Sequence, residues 1–297
     1  MMKRFYTLLA LVLVACGAGT PTPPAATPTR PQVALSELPV LPVVSPALRG
    51  LYLEGVQAGN NPRAFSKLGD CMTDNPEFLV PLSEGRYELG AYGGLKAVIE
   101  RYADRPSRQG KPWALDAFAS PSLSAAGGFN AAGPLDSTWA DPQWCLAGET
   151  PLACEYRVVR PSIALIMFGT NDVAATEPAA YQAYLREIVD QTLARKIIPV
   201  LHTFPNRPEN PARTAELNQI VVALASEKGL PLVNLNRALS ALPNAGVGIT
   251  DTTHLSVPPD GRVDVFSEAN LKYGFTQRNL ITLQALEAVL RGVGELP

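Results

Sequence analysis

The apolar run at residues 163–168 (Ile-Ala-Leu-Ile-Met-Phe) constrains the fold more than any other segment, because it has no polar face. A strand of this kind is buried on both sides, as in a parallel sheet that helices cover on both faces. Further strands are predicted at 64–69, 197–204 and 230–235, and an alternating segment predicts another at 113–119. The sequence therefore favours an α/β protein.

Helical patterns fall between these strands, at residues 46–58, 95–102, 179–195, 212–228 and 279–293. Pro178 suits the start of the third helix, and Gly229 suits the end of the fourth. In open α/β sheets, ligands bind at the carboxyl ends of the strands. Segments 69–73 and 169–172 each follow such an end, so we expect both to lie at the same edge of the sheet.

The first 16 residues resemble a bacterial export signal. Lys3 and Arg4 precede an apolar stretch at 5–14, which is shorter than the ~20 residues that span a bilayer. The stretch leads into Leu-Val-Ala-Cys, which resembles a lipobox whose cysteine, Cys16, is acylated. An ordinary secretory signal with a chance cysteine is the alternative.

Domain organisation follows from composition. Residues 17–45 are rich in Pro, Thr and Ala and predict an extended spacer. Residues 46–297 hold enough apolar sequence for one globular domain. The net charge of −2 and the pI near 5.8 give no basic field for nucleic acid. We therefore predict a lipid-anchored monomer outside the cytoplasm, tethered to a membrane.

Three cysteines remain beyond Cys16. Cys145 and Cys154 flank a short loop, and we expect them to form a disulfide in an exported chain. Cys71 is then a free thiol, unless it pairs with one of the other two. The chain lacks a C-x-x-C pattern and has two histidines, which argues against a zinc site.

Acyl transfer requires a nucleophile, a base, a group that orients the base and donors for an oxyanion. His254 follows Asp251 by three residues in a polar loop and is a candidate base. His202 lies inside an apolar strand and is interpreted as structural. Trp139 and Trp144 either pack a loop or line a sugar-binding cleft.

Four motifs, in order, resemble those of the SGNH hydrolases, also called the GDSL esterase/lipase family. They are Gly-Asp-Cys-Met-Thr at 69–73, a glycine block at 127–133, Gly-Thr-Asn-Asp at 169–172 and Asp-Thr-Thr-His at 251–254. The resemblance covers residue 64 to the C-terminus. It departs from the family at the nucleophile, where Cys71 replaces serine.

The resemblance implies a flavodoxin-like, three-layer α/β/α sandwich and a set of site residues. His254 would be the base and Asp251 its orienting partner. The oxyanion would be held by the backbone N–H groups of Cys71 and Gly128 and by the Asn171 amide. Gly127 and Gly133 are alternatives to Gly128. Asp70 and Asp172 would support the loops, and no metal or organic cofactor is implied.

Two functions remain open. In the first, Cys71 forms an acyl-enzyme and the protein hydrolyses esters of small acyl groups, including acetyl groups on a polysaccharide. A neighbouring imidazolium can lower a thiol pKa and create a reactive thiolate. In the second, the protein is an inactive lipoprotein that binds a glycan or an acylated ligand in the same cleft.

Overall fold

The computed structural model describes residues 34–108 and 115–297. Within these ranges four strands form one parallel sheet in the order β1-β2-β3-β4. They are β1 (Asn61–Gly69), β2 (Pro161–Met167), β3 (Ile198–His202) and β4 (Leu232–Val233). Every residue of β2 is buried, as the apolar run predicts. The predicted export signal and Cys16 lie outside the described residues.

Nine α-helices connect and cover these strands in the described residues: α1 (Ala47–Gln57), α2 (Val80–Ser83), α3 (Lys96–Ala103), α4 (Pro151–Val159), α5 (Asp172–Ala175), α6 (Pro178–Ala194), α7 (Pro211–Lys228), α8 (Leu235–Ser240) and α9 (Gly274–Val293). Short 3₁₀ turns lie at Gly90–Leu95, Gly133–Leu135, Ser137–Trp139, Pro243–Gly246 and Asn270–Lys272. The five predicted helices are confirmed as α1, α3, α6, α7 and α9. None of the helices in the described ranges has the length and apolar character to cross a bilayer.

The helix ends follow local chemistry. Pro178 occupies the first turn of α6, and Gly229 ends α7 with a left-handed φ of 64°. Helix α9 begins earlier than predicted, at Gly274, whose backbone N–H donates to the Ser256 hydroxyl at 2.9 Å. Strand β4 is shorter than predicted because the Asn234 side chain caps α8 directly after it.

The helices form layers on both faces of the sheet. Adjacent strand residues point to opposite faces, and in β1 the Phe65 ring packs against Tyr102 of α3 while the Ser66 hydroxyl donates to Glu155 of α4. Helices α1 and α9 pack with α3 on the first side. On the other side α4 is linked to α6 by a hydrogen bond between Tyr156 and Thr192, and α6 packs on α7. The three-layer α/β/α prediction is confirmed.

The strand predicted at 113–119 is wrong where the structure describes it. Residues 117–119 form a turn, in which the Asp116 carboxylate accepts from the backbone N–H groups of Phe118 and Ala119 at 2.9 and 3.0 Å. This side-chain bonding competes with a ladder. Trp113 and Ala114 lie outside the described residues.

The free edge of β1 is paired a few residues later. Gly69 forms a parallel bridge with Ala125, and its N–H donates to the carbonyl of Ser124 at 3.2 Å. Since β2 occupies the other edge of β1, this segment lies where the second strand of a flavodoxin-like sheet belongs. The bridge fixes the glycine block beside the end of β1.

The predicted spacer at 17–45 needs a correction near its end. Asn234 donates from its side chain to the Leu35 carbonyl at 2.7 Å and from its backbone to the Val40 carbonyl at 3.0 Å. Pro42 is buried. Residues from 35 onward therefore belong to the folded unit rather than to a free tether, because their carbonyls satisfy donors at the start of α8.

Candidate active site

Cys71 lies in a tight loop directly after β1. The Asp70 carboxylate accepts from the Met72 N–H at 3.0 Å, and the Asp70 carbonyl accepts from Thr73 and Asp74 at 2.9 and 3.0 Å. Gly69 is required before this loop, since a Cβ there would lie 2.3 Å from the Thr73 hydroxyl. Asp70 is fully buried, and its hydrogen bonds lie within this loop.

The Cys71 thiol is free and partly exposed, so the alternative disulfides with Cys145 or Cys154 are not formed. Burial, and then the charge of Asp70, raises the pKa of this thiol to about 11. The Arg207 side chain opposes that change in pKa. At neutral pH the group is therefore a neutral thiol, and the resting site does not hold the thiolate that a neighbouring imidazolium would create.

Arg278 of α9 contacts the loop that follows β1, and the sequence analysis did not identify it. Its guanidinium donates to the Met72 carbonyl at 2.6 Å and to the Thr73 hydroxyl at 3.0 Å, and it lies 3.6 Å from the centre of the Phe78 ring. The side chain is 1% exposed. Burial lowers its pKa to about 9, and the charge of Asp70 opposes this change.

The three glycines of the block differ in the surroundings of their N–H groups. The Gly127 N–H opposes the burial that raises the Asp74 pKa, and the Gly133 N–H donates to Asn130. Gly128 has a φ of 84° and, within the described part of the chain, no partner for its N–H. This difference favours Gly128 among the three predicted alternatives.

Asn171 lies at the amino end of α5, beyond the end of β2. Its side-chain amide donates to the Phe129 carbonyl at 2.7 Å. The amide nitrogen carries two N–H groups, so a second donor remains for an oxyanion. Gly169 is needed just before it, because a Cβ there would lie 2.1 Å from the Phe204 ring.

Asp172 ties α5 to the same glycine block. Its two carboxylate oxygens accept from the Ala131 N–H at 3.1 and 3.2 Å. The side chain is fully buried, and burial is the main cause that raises its pKa to about 6. The contacts of Asp172 thus join α5 to the glycine block.

Asp251 and His254 form a hydrogen-bonded pair in the loop before Ser256. The His254 Nδ1 lies 2.6 Å from the Asp251 Oδ2. The other oxygen of Asp251 accepts from the backbone N–H groups of Thr253 and His254 at 3.0 and 3.3 Å. The His254 hydrogen bond is the largest cause that lowers the Asp251 pKa. A proton on Nδ1 leaves Nε2 as the acceptor.

The predicted residues come together as two groups. Cys71, the glycine block and Asn171 meet at the carboxyl edge of the sheet, and Asp251 and His254 form the second group. Among the described residues, no hydrogen bond joins the Cys71 thiol to the His254 ring. His202 is buried with its pKa lowered to about 3 by burial, so it stays neutral and cannot replace His254 as the base.

Cys145 and Cys154 form the predicted disulfide. Together with Glu149 they make a cluster of potential metal ligands within the described chain. Both sulfurs are bonded to each other, however, and the Glu149 carboxylate accepts from Arg157 at 2.8 and 2.7 Å. This cluster has no ligand set left for a metal ion.

The comparisons with known proteins bear on this site. A family model described as GDSL-like lipase/acylhydrolase matches residues 96–257, more than half of the chain. That span contains the glycine block, Asn171 and the Asp251–His254 pair, whereas Cys71 lies before it. A search of curated proteins found no match.

Solved structures similar to the chain include a lipase/acylhydrolase from Enterococcus faecalis, at 18% identity and TM-score 0.48, which covers 79% of this chain and 97% of that one. An acetyl esterase mutant with an acetate ion is 14% identical, at TM-score 0.48, covering 76% and 99%. A catalytic mutant of an acetylxylan esterase from Geobacillus stearothermophilus is 16% identical, at TM-score 0.43, covering 78% and 94%.

The family model settles the predicted family and the reaction class, a hydrolase that acts on esters. The chain belongs to the GDSL-like lipase/acylhydrolase family.

Proposed function

We propose that the protein hydrolyses esters of small acyl groups, including acetyl groups on a polysaccharide, through an acyl-enzyme at Cys71. The observation that carries the proposal is the 2.6 Å hydrogen bond between Asp251 and His254. It orients an imidazole whose second nitrogen is available as a base, in a chain that also presents a free thiol after β1. Together these supply a nucleophile, a base and an orienting group.

The first half-reaction forms a thioester. The Cys71 sulfur attacks the carbonyl carbon of the ester while His254 Nε2 takes the thiol proton. The oxyanion is stabilised by the N–H groups of Cys71 and Gly128 and by the free N–H of the Asn171 amide. Collapse of this intermediate breaks the ester C–O bond, and His254 returns the proton to the leaving alcohol.

The second half-reaction regenerates the thiol. His254 takes a proton from water, the water oxygen attacks the thioester carbon, and the carboxylic acid leaves as the Cys71 sulfur regains its proton from His254. Because the resting thiol is neutral, proton removal accompanies attack rather than preceding it. The proposal requires His254 to reach the thiol when substrate binds; catalytic hydrogen bonds often tighten at that stage.

A carbohydrate substrate is favoured by one aromatic residue. Trp139 is 64% exposed, and its ring packs edge-on against Phe129 with the ring centres 6.0 Å apart. The Phe129 carbonyl accepts the Asn171 amide. Phe129 thus contacts both the Trp139 indole and the Asn171 amide, one of the proposed oxyanion donors. The exposed apolar surface of the indole offers a face for a sugar ring.

The proposal places the domain outside the cytoplasm, anchored by a lipid on Cys16. Its support is the basic and apolar leader with its lipobox-like end, and the Cys145–Cys154 disulfide, a bond typical of oxidising compartments. Metabolic labelling with a fatty acid should mark the full chain and not its Cys16→Ala variant. Equal labelling of the two would contradict the anchor.

Activity of the full chain on an aryl acetate and on acetylated xylan tests the reaction. Cys71→Ala, His254→Ala and Asp251→Ala should each lower kcat/KM at least ~100-fold, because each removes a part of the proton transfer or the nucleophile. Asp260→Ala is the matched control for Asp251, since Asp260 is also an exposed aspartate that accepts from the N–H two residues on. Unchanged activity in Cys71→Ala would refute the acyl-enzyme.

A binding function without turnover is the second candidate, and the neutral thiol with no hydrogen bond to His254 favours it. If the protein only binds its ligand, the full chain does not hydrolyse esters. Cys71→Ser supplies the hydroxyl of the family motif and should then hydrolyse the ester substrates that the parent does not. Activity in the parent that falls in Cys71→Ser would exclude this candidate.

A further inference from the structure

A pocket of about 280 Å³ is lined by none of the predicted catalytic residues. Pro121 and Leu123 give it apolar surface, and its other lining residues are polar or aromatic: Arg108, Ser120, Ser122, Asp141, Gln143 and Trp144. Ligand pockets in proteins range from ~300 to ~1,000 Å³. A volume at the lower end suits one ring-sized ligand.

Arg108 is the unusual member of this pocket. Its side chain is 5% exposed, and its Nε and Nη2 atoms have no hydrogen-bond partner in the described structure. The nearest carboxylate oxygen, on Glu155, lies 3.9 Å from Nη2. Glu155 is already used, because its two oxygens accept from the Ser66 hydroxyl at 2.6 Å and the Leu123 N–H at 2.9 Å.

Unsatisfied guanidinium donors at a buried position are costly and rare. A ligand oxygen that enters the pocket and accepts a hydrogen bond from this guanidinium would remove the energetic cost of the unsatisfied donors. Glu155 meanwhile holds the backbone of Leu123, so the wall beside Arg108 is fixed by the same network. The Arg108 guanidinium is therefore part of a fixed wall rather than a mobile surface side chain, and its two unpartnered donors are buried within that wall.

The remaining lining groups indicate which acceptor fits. The Trp144 ring centre lies 5.4 Å from the Arg108 guanidinium carbon. Asp141 is exposed at the rim, and one of its oxygens accepts from the Gln143 N–H at 2.8 Å, which leaves the other free to accept from a ligand. The pocket thus offers donors, acceptors and an aromatic ring together.

The charges around the pocket do not select an anionic ligand. The positive charges of Arg108 and the nearby buried Lys67 are matched by the negative charges of Glu155 and Asp141, so no excess positive charge remains. A neutral ligand with several hydroxyl groups can accept from the guanidinium, donate to Asp141 and lay an apolar face on Trp144 without adding charge. We infer that this pocket binds one neutral sugar residue of a glycan, at a site separate from Cys71.

Binding of unsubstituted tetrasaccharides to the full chain tests this inference without any hydrolysis. The probes are xylotetraose, cellotetraose and chitotetraose, followed by saturation-transfer NMR up to about 10 mM, with a galacturonic acid trimer and inorganic sulfate as anionic comparisons. At least one neutral probe should bind. Trp144→Ala should weaken that binding about tenfold, and Gln143→Ala, an exposed and milder change, about threefold.

Gln57→Ala, at an exposed glutamine of α1, is the matched control and should bind as the parent does. Cys71→Ala and His254→Ala should also keep the binding, so a failure of the proposed catalysis would not affect this result. The inference is overturned if no neutral tetrasaccharide binds, if only the uronate or sulfate binds, or if Gln143→Ala and Trp144→Ala both bind like the parent. If Trp144→Ala does not fold, Gln143→Ala decides.

Discussion

The protonation state of Cys71 gives the sharpest test of the site. Burial and the neighbouring Asp70 raise the pKa of the thiol to about 11, whereas a cysteine in an unfolded chain has a pKa of ~8.5. Only thiolate reacts with a disulfide reagent. We therefore predict that Cys71 reacts more slowly with dithiodipyridine in the folded protein than in the same protein unfolded in urea.

The expected size follows from two opposing effects. At about pH 8 the thiolate fraction is ~0.001 in the folded protein and ~0.24 in the unfolded chain, a ratio of ~240. A thiolate of higher pKa is a better nucleophile. With a Brønsted coefficient of ~0.45 over ~2.5 pKa units, the folded thiolate reacts ~10-fold faster than the unfolded thiolate, which offsets part of this ratio. The net reaction should be ~20-fold slower when folded, and the partial burial of Cys71 slows it further.

The measurement is the rate of modification of the Cys71 peptide by mass spectrometry, which separates it from the other cysteines. Between about pH 7 and pH 10 the folded rate should rise tenfold per pH unit without a plateau. A folded rate above the unfolded rate, or a plateau below about pH 8, would show a thiolate stabilised by a nearby cation. The reasoning from burial would then be refuted, and a thiolate–imidazolium pair would replace it.

Three further outcomes follow from the supporting contacts. Asp172→Asn should raise the free energy of unfolding at pH 8 by up to about 3 kcal/mol and change it little at pH 4. The reason is that the folded pKa of about 6 lies above the unfolded ~3.9, so the carboxylate costs stability as the pH rises through about 6. Equal changes in urea unfolding at both pH values would contradict this. Arg278→Met should lower the free energy of unfolding by about 3 kcal/mol, since two hydrogen bonds from a buried charged donor are lost. It should also lower kcat, because the Cys71 loop loses these contacts. Unchanged stability in urea would contradict the role of Arg278 in holding the loop. Replacing both Cys145 and Cys154 by serine should cost about 2.5 kcal/mol for the closed loop, and thermal unfolding with and without reductant should show a difference only in the parent.

The sequence predicted the parts of the fold that depend on local pattern. The apolar run at 163–168 became the buried strand β2, and Gly229 ended α7 as its conformational freedom predicts. The alternation at 113–119 misled because the Asp116 carboxylate satisfies two backbone N–H groups and makes a turn. An alternating pattern of apolar and polar residues shows side-chain polarity. It does not show that a side chain competes with a neighbouring strand for the backbone N–H groups.

The parts of the site that the sequence missed depend on contacts between distant segments. Arg278 contacts the Thr73 side chain from 205 positions away, and it lies one residue before the helix predicted at 279–293. Arg207 opposes the rise in the Cys71 pKa from the loop after β3. A buried arginine is detected only when the loop carbonyls that it satisfies are known, so no spacing within the sequence could have indicated it.

The hydrogen bonds of the loop after β1 bear on the proposal that Cys71 is the reacting residue. The hydrogen bonds that shape the loop run from Met72 and Thr73 to Asp70 and from Arg278 to Met72, and the side chain of residue 71 enters none of them. A hydroxyl in place of the thiol would leave these three sets of hydrogen bonds intact. In the mechanism proposed above, sulfur instead of oxygen changes the acidity and the size of the reacting atom. Because the loop keeps its hydrogen bonds, Cys71→Ser should preserve the stability of the protein, and any change in its hydrolysis can be attributed to the reacting atom itself.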